Sequence, residues 1–132
     1  MENRIPASIL MNKKDRRREL AFAIMAVPSG NYENSKDYRA AHMQYLQVLH
    51  DTGKLIGAGP LLDESGVFYD GDGLIIISAP SVEAARIIAD NDPFHQQDVR
   101  RYCLKPWLLS EGAMLEVILS GNASNISDEV LI

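Results

Sequence analysis

The residues able to move a proton or grip a small anion are few, and they lie in the middle of the chain. His42 comes first, because a histidine titrates near neutrality (ordinary pKa ~6.5) and can give or take a proton at physiological pH. On a helix it stands one turn after Arg39, about 60° round the axis. An arginine's planar fork can grip a carboxylate, although such a side chain more often flanks an apolar stripe and reaches solvent. Asp92 opens the tight turn Asp92-Pro93-Phe94, where its carboxylate also suits the cap of a short helix starting at Pro93. Gly57, Gly59 and Pro60 thin one segment of side chains. That leaves room for a ligand near the backbone, and it is also ordinary composition for a turn or an edge strand. Phe94, Tyr102 and Trp107 have the faces to wall an aromatic pocket, with core packing the simpler job for each. A metal site is not expected: on one helix His42 and His50 would point about 80° apart, and His95 and Cys103 complete no ligand spacing. No phosphate loop, dinucleotide fingerprint or nucleophile elbow occurs, so no cofactor is expected either.

These side chains need elements to hold them. Residues 20–27 form a compact apolar run, read as a buried strand that ends at Pro28-Ser29-Gly30-Asn31. Ser35 is the expected N-cap of a helix running to about Thr52, with Gly53 as its stop. At 100° per residue, Tyr38, His42, Tyr45, Leu46, Leu49 and Gly53 fall within about 60° of one line, so His42 sits inside the buried stripe of that helix. Read without a ligand, it is a core histidine bonded to a backbone carbonyl. Residues 55–62 read as a second strand at an edge or along a pocket, and residues 67–69 as a weakly defined segment between turns. Residues 74–79 are the clearest strand, with the continuous apolar run of a central position. Ser81 then caps a second helix that must end near Asn91, because Asp92 precedes a proline. Residues 99–109 carry a fourth strand, in which Cys103 is expected to be a small buried residue. Residues 114–119 read as a fifth strand, and residues 121–132 as a loose tail or swap arm.

The order β-α-β-β-α-β specifies an α+β fold: a ferredoxin-like unit with an antiparallel sheet and two helices on one face. The uncovered face needs a partner, and a homodimer, or a higher oligomer, closing a dimeric α/β barrel is the simplest solution. The chain divides into a basic N-terminal extension (1–19), the ferredoxin-like domain (20–109) and a C-terminal strand and tail (110–132). At 132 residues, 46% apolar and 23% charged, it suits one globular domain. One cysteine excludes an internal disulfide and fits a reducing compartment. Apolar runs fall well short of the ~20 residues of a spanning helix, and no secretory signal pattern appears, so a cytoplasmic protein without membrane partners is expected. The net charge of −5 splits into +3 for residues 1–19 and −8 for the rest. So acidic a body is a poor binder of nucleic acid. The Lys13, Lys14, Arg16, Arg17 and Arg18 cluster reads as a solvated tail, with a docking helix or arm as the alternative.

Several stretches, in their order and spacing, resemble the YCII-related family of small dimeric α+β barrel proteins over roughly residues 20–109. They are Arg39-Ala40-Ala41-His42; Asp51-Thr52-Gly53-Lys54-Leu55 running into Ala58-Gly59-Pro60-Leu61; Val82-Glu83-Ala84-Ala85-Arg86 followed by Asp92-Pro93-Phe94; and Lys105-Pro106-Trp107. The resemblance, not spacing, implies that His42 and Asp92 form an active-site pair. It also implies similarity to muconolactone isomerases and to a dehydrochlorinase acting on a chlorinated hydroxyquinol. The basic leader and the segment after Trp107 depart from the family pattern and inherit nothing from it. The expectation is a cofactor-independent isomerase or lyase acting on a small cyclic or aromatic organic acid. His42 would move a proton and Asp92 orient it, with Arg39, Gly59, Pro60 and Phe94 at the substrate. The alternative is a dimer module of the same type that binds a small ligand without catalysis. On the enzyme reading, alanine at His42 abolishes turnover and leaves the melting temperature nearly unchanged.

Overall fold

The computed structural model describes residues 4–11 and 19–120. A short helix, α1 (Ala7–Met11), has no buried residue. It is followed by β1 (Glu19–Pro28), a 3-10 segment (Tyr32–Asp37), α2 (Arg39–Asp51), β2 (Leu55–Pro60) and β3 (Gly73–Ser78). The chain continues through α3 (Val82–Asp90), α4 (Pro93–Gln96), β4 (Arg100–Leu109) and α5 (Ala113–Leu119). The strands pair antiparallel in the order β2-β3-β1-β4, which is the expected ferredoxin-like sheet. The cation cluster at residues 13–18 and the tail 121–132 lie outside the described residues. Among the described residues no helix is long and apolar enough to cross a membrane.

The core follows from the strand alternation. Phe22 pairs with Ile77 and Ile24 with Ile75, so all four project from one face. There they meet Leu49 of α2 and the small Ala85 and Ala89 of α3, all buried. Each large side chain sealed this way is worth about 1.5–3 kcal/mol. Residue 81 caps α3 as expected, its hydroxyl oxygen accepting from the Ala84 amide at 3.0 Å. Beyond α2, Gly53 adopts φ 73°, and the Lys54 and Gly53 amides donate to the Leu49 and His50 carbonyls. This pair of bonds closes the helix end in the way a left-handed glycine permits. Pro106 is tolerated because β4 is an edge strand.

Three expectations are corrected. Ser35 does not cap α2: it lies inside the 3-10 segment, its carbonyl accepting from the Tyr38 amide, and Tyr38 occupies the cap position without a side-chain bond. Residues 114–119 are helix α5 rather than a fifth strand. A short apolar run has no periodicity to separate the two, and Ala113, Met114, Leu115 and Glu116 are all good helix formers. Cys103 is exposed, because β4 alternates at the sheet edge and places it opposite Met25, away from α2 and α3. On that same face Met25, Val27 and Trp107 are exposed while Ala21 and Ile76 are buried. Helix α5 contacts β1 and β2 and buries its own Leu115.

Tyr45 ties α2 to α3, its hydroxyl donating to the Ile88 carbonyl at 2.6 Å. Burial, reinforced by the charges of Asp92 and Tyr102, pushes its pKa well above the ordinary 10.0. A folded-state value above the unfolded one means that the stability Tyr45 contributes is whole below pH ~10 and is lost as pH rises through the folded value. Tyr45→Phe is expected to cost about 1 kcal/mol at pH 7 and to flatten the alkaline loss of stability. An unchanged alkaline slope in chemical denaturation would remove Tyr45 as its source.

Candidate active site

The buried stripe of α2 brings His42 inward, leaving it 7% exposed. At the end of α3, Pro93 holds Asp92 in extended backbone (φ −65°, ψ 123°), and α4 starts there with Pro93 in its first turn. The Asp92 side chain is thereby turned back toward its own helix and is completely buried. Its Oδ1 accepts from the Phe94 amide at 2.9 Å and lies 2.8 Å from His42 Nδ1. One Asp92 oxygen therefore both caps α4 and pairs with the imidazole. A carboxylate accepting the Nδ1–H selects the tautomer in which Nε2 is the proton acceptor. Nε2 has no partner among the described residues and is not sealed from solvent. Phe94 fixes the ring plane, stacking on His42 with centroids 4.1 Å apart and planes 8° from parallel.

His42 lines a cleft of about 420 Å³ between α2 and the β2–β3 end of the sheet. Arg39, Gly59, Pro60 and Phe94 line it too, whereas Asp92 lies behind His42. Arg39 is exposed. A Cβ added at Gly59 would meet nothing within 4 Å, so the glycine thins the wall without being forced by a close neighbour. Gly57, Tyr102 and Trp107 are not in the lining. Tyr102 instead packs on the His95 ring and donates to Asp90, and Trp107 stands on the opposite sheet face.

The opposite wall carries side chains that the sequence reading missed. Arg100, at the start of β4, is 8% exposed, its Nε donating to the Gly71 carbonyl at 3.1 Å and Nη2 to the Tyr69 hydroxyl at 2.9 Å. The guanidinium carbon stands 5.2 Å from the Phe94 centroid, within cation–π range. Tyr32 completes the wall. Burial and a hydrogen bond with Tyr69 raise its hydroxyl above the ordinary tyrosine range, against the opposing pull of the Arg100 and Arg39 charges. Gly71 makes this packing possible: its φ is 103°, and a Cβ there would lie 2.6 Å from Pro28 and 2.7 Å from Tyr32. No local pattern signals Arg100, whose partner Gly71 is 29 residues distant.

Comparison with known proteins agrees with this architecture. Protein YciI of Escherichia coli O6:H1 and protein YciI of Shigella flexneri are each 37% identical to the chain over 67 residues, covering 47% of it and 67% of their own length. The fold is similar to that of 5-chloro-2-hydroxyhydroquinone dehydrochlorinase (TftG) from Burkholderia phenoliruptrix, solved in complex with 2,5-dihydroxybenzoquinone. The TM-score is 0.53 at 22% identity, covering 65% of this chain and 92% of that one. Such distant identity speaks to the fold alone. The YCII-related domain matches residues 19–108, a span that takes in His42, Asp92 and the cleft between them and Arg100, and the chain belongs to that family.

Proposed function

We propose that the chain is a small-molecule enzyme in which the His42–Asp92 pair transfers a proton during isomerisation or elimination on a small cyclic or aromatic organic acid. The observation that carries this reading is the 2.8 Å contact between a cleft-lining imidazole and a carboxylate sealed behind it. In either reaction His42 Nε2 takes a proton from a ring carbon or hydroxyl, and the electron pair moves into the ring. In an elimination that pair expels a leaving group from the ring, which departs with its bonding electrons. In an isomerisation the imidazolium returns the proton to a different carbon. Neither path changes the net oxidation state, and positioned proton transfer of this kind contributes typically 10²–10⁴-fold. The assembly is proposed to be a homodimer, with Met25, Val27 and Trp107 as the exposed apolar residues on the sheet face away from α2 and α3.

A second reading, a binding module without catalysis, draws on the cap that Asp92 gives α4, since that bond supplies a structural reason for the carboxylate. The two separate in one assay. Full-length protein incubated with 5-chloro-2-hydroxyhydroquinone is expected to release chloride above the uncatalysed rate, and 2,5-dihydroxybenzoquinone is expected to inhibit the release. Binding of the quinone with no chloride released after long incubation would count for the module and against this phenolic substrate.

A further inference from the structure

Among the described residues the buried cation of the cleft has no counter-charge. Among the described residues no carboxylate lies within ion-pair distance of Arg100, although the side chain is 8% exposed. A carbonyl, a phenol hydroxyl and an aromatic face offset its desolvation only in part, and buried charges are ordinarily paired. The hydrogen bonds it makes use Nε and one hydrogen of Nη2. Nη1 has no partner among the described residues and is not sealed off. Space at Nη1 is kept by Gly73, where a Cβ would stand 2.8 Å from that nitrogen. The result is an arginine clamped at one edge, with its other edge available at a cleft whose opposite wall holds His42.

We propose that Arg100, rather than the exposed Arg39, is the specificity-determining residue of the cleft, and that its available edge receives the planar carboxylate of a ring-bearing substrate. The inference rests on the small-ring-acid reading given above and names the anchor for its acid group. A guanidinium presents parallel donors that match two carboxylate oxygens, and clamping by Gly71 and Tyr69 lowers the entropy lost on binding. The Tyr32 ring, its hydroxyl hydrogen-bonded with Tyr69, lines the same wall. Phe94, in contact with both His42 and Arg100, offers an apolar surface for the ring between the anchored acid and the base.

The test compares benzoate with its neutral near-isostere benzamide by calorimetric titration of the full-length protein. Charged hydrogen bonds are worth about 1.5–3 kcal/mol, roughly 10- to 100-fold in affinity. Wild-type protein is therefore expected to prefer benzoate to benzamide by at least about tenfold, and Arg100→Gln to erase that preference. Arg39→Gln should change it by less than about threefold, as for an exposed charge. The proposal is overturned if wild type shows no preference, if Arg100→Gln keeps it, or if Arg39→Gln removes it. Should Arg100→Gln not fold, Arg100→Lys decides. Weaker benzoate binding with benzamide unchanged supports the anchor, and equal effects on both ligands, or none, overturn it. Inorganic phosphate that displaces benzoate at equal concentration overturns the carboxylate assignment. Turnover is not measured, so benzoate held through Arg100 without any chloride release in the earlier assay defeats the proton-transfer reading alone.

Discussion

Asp92→Ala is expected to lower the unfolding free energy by about 2–4 kcal/mol, the combined loss of a helix cap and a hydrogen bond to an ionisable partner. For a domain of this size that is a fall in Tm of roughly 6–20 °C. Two donors, the Phe94 amide and His42 Nδ1, share one acceptor atom, so truncation strands both inside a site where Asp92 is fully buried. Asp92→Asn should recover most of the cap, because asparagine caps about as well as aspartate. It should not recover everything: the Asp92 Oδ2 position is buried and without a partner among the described residues, and an amide nitrogen placed there has no acceptor. Thermal denaturation followed by circular dichroism measures both. A loss below about 1 kcal/mol for Asp92→Ala would mean that the shared oxygen carries little of the local structure.

His42→Gln is expected to reduce the rate of chloride release by about 10²–10⁴-fold with KM little changed, because the proton acceptor is removed while the cleft walls stay in place. The sequence-based expectation that alanine leaves the melting temperature nearly unchanged does not survive the geometry. His42 is 7% exposed, stacks on Phe94 and bonds Asp92, so alanine opens a hole beside Phe94 and leaves a buried carboxylate short of a donor. Stability loss in His42→Ala therefore cannot separate a catalytic histidine from a structural one. Glutamine keeps a donor and much of the bulk, and makes the rate the informative readout. Full activity in His42→Gln would overturn the assignment of His42 as the base.

The strands and the two long helices were legible because their residues carry strong, mutually consistent patterns. The continuous run at β3, the stripe on α2 and the Ser81 cap each select one local structure. The start of α2 was not legible, because a serine in a 3-10 turn has the same composition as one at a helix cap. Nor was α5: its apolar run fits strand and helix equally, and the outcome depends on contacts with β1 and β2. Within the cleft, Arg39, His42, Gly59, Pro60 and Phe94 came from short segments whose chemistry is visible locally, and Asp92 came from the family resemblance. Arg100, Tyr32 and Tyr69 did not emerge, since each is brought to the wall by the fold around Gly71 rather than by its own neighbours in sequence.

The double duty of Asp92 Oδ1 limits how this site can change. A mutation that shifts the carboxylate to retune His42 also disturbs the first turn of α4, so chemistry and folding load on the same atom and cannot be adjusted independently. In the wall formed by Tyr32, Tyr69 and Arg100, Tyr69 belongs to the segment between β2 and β3 and Tyr32 to the 3-10 segment after β1, so neither sits on the sheet or on α2. New ligand preferences in this architecture are therefore most readily acquired from the Arg100 side, with the histidine and its carboxylate left as they are.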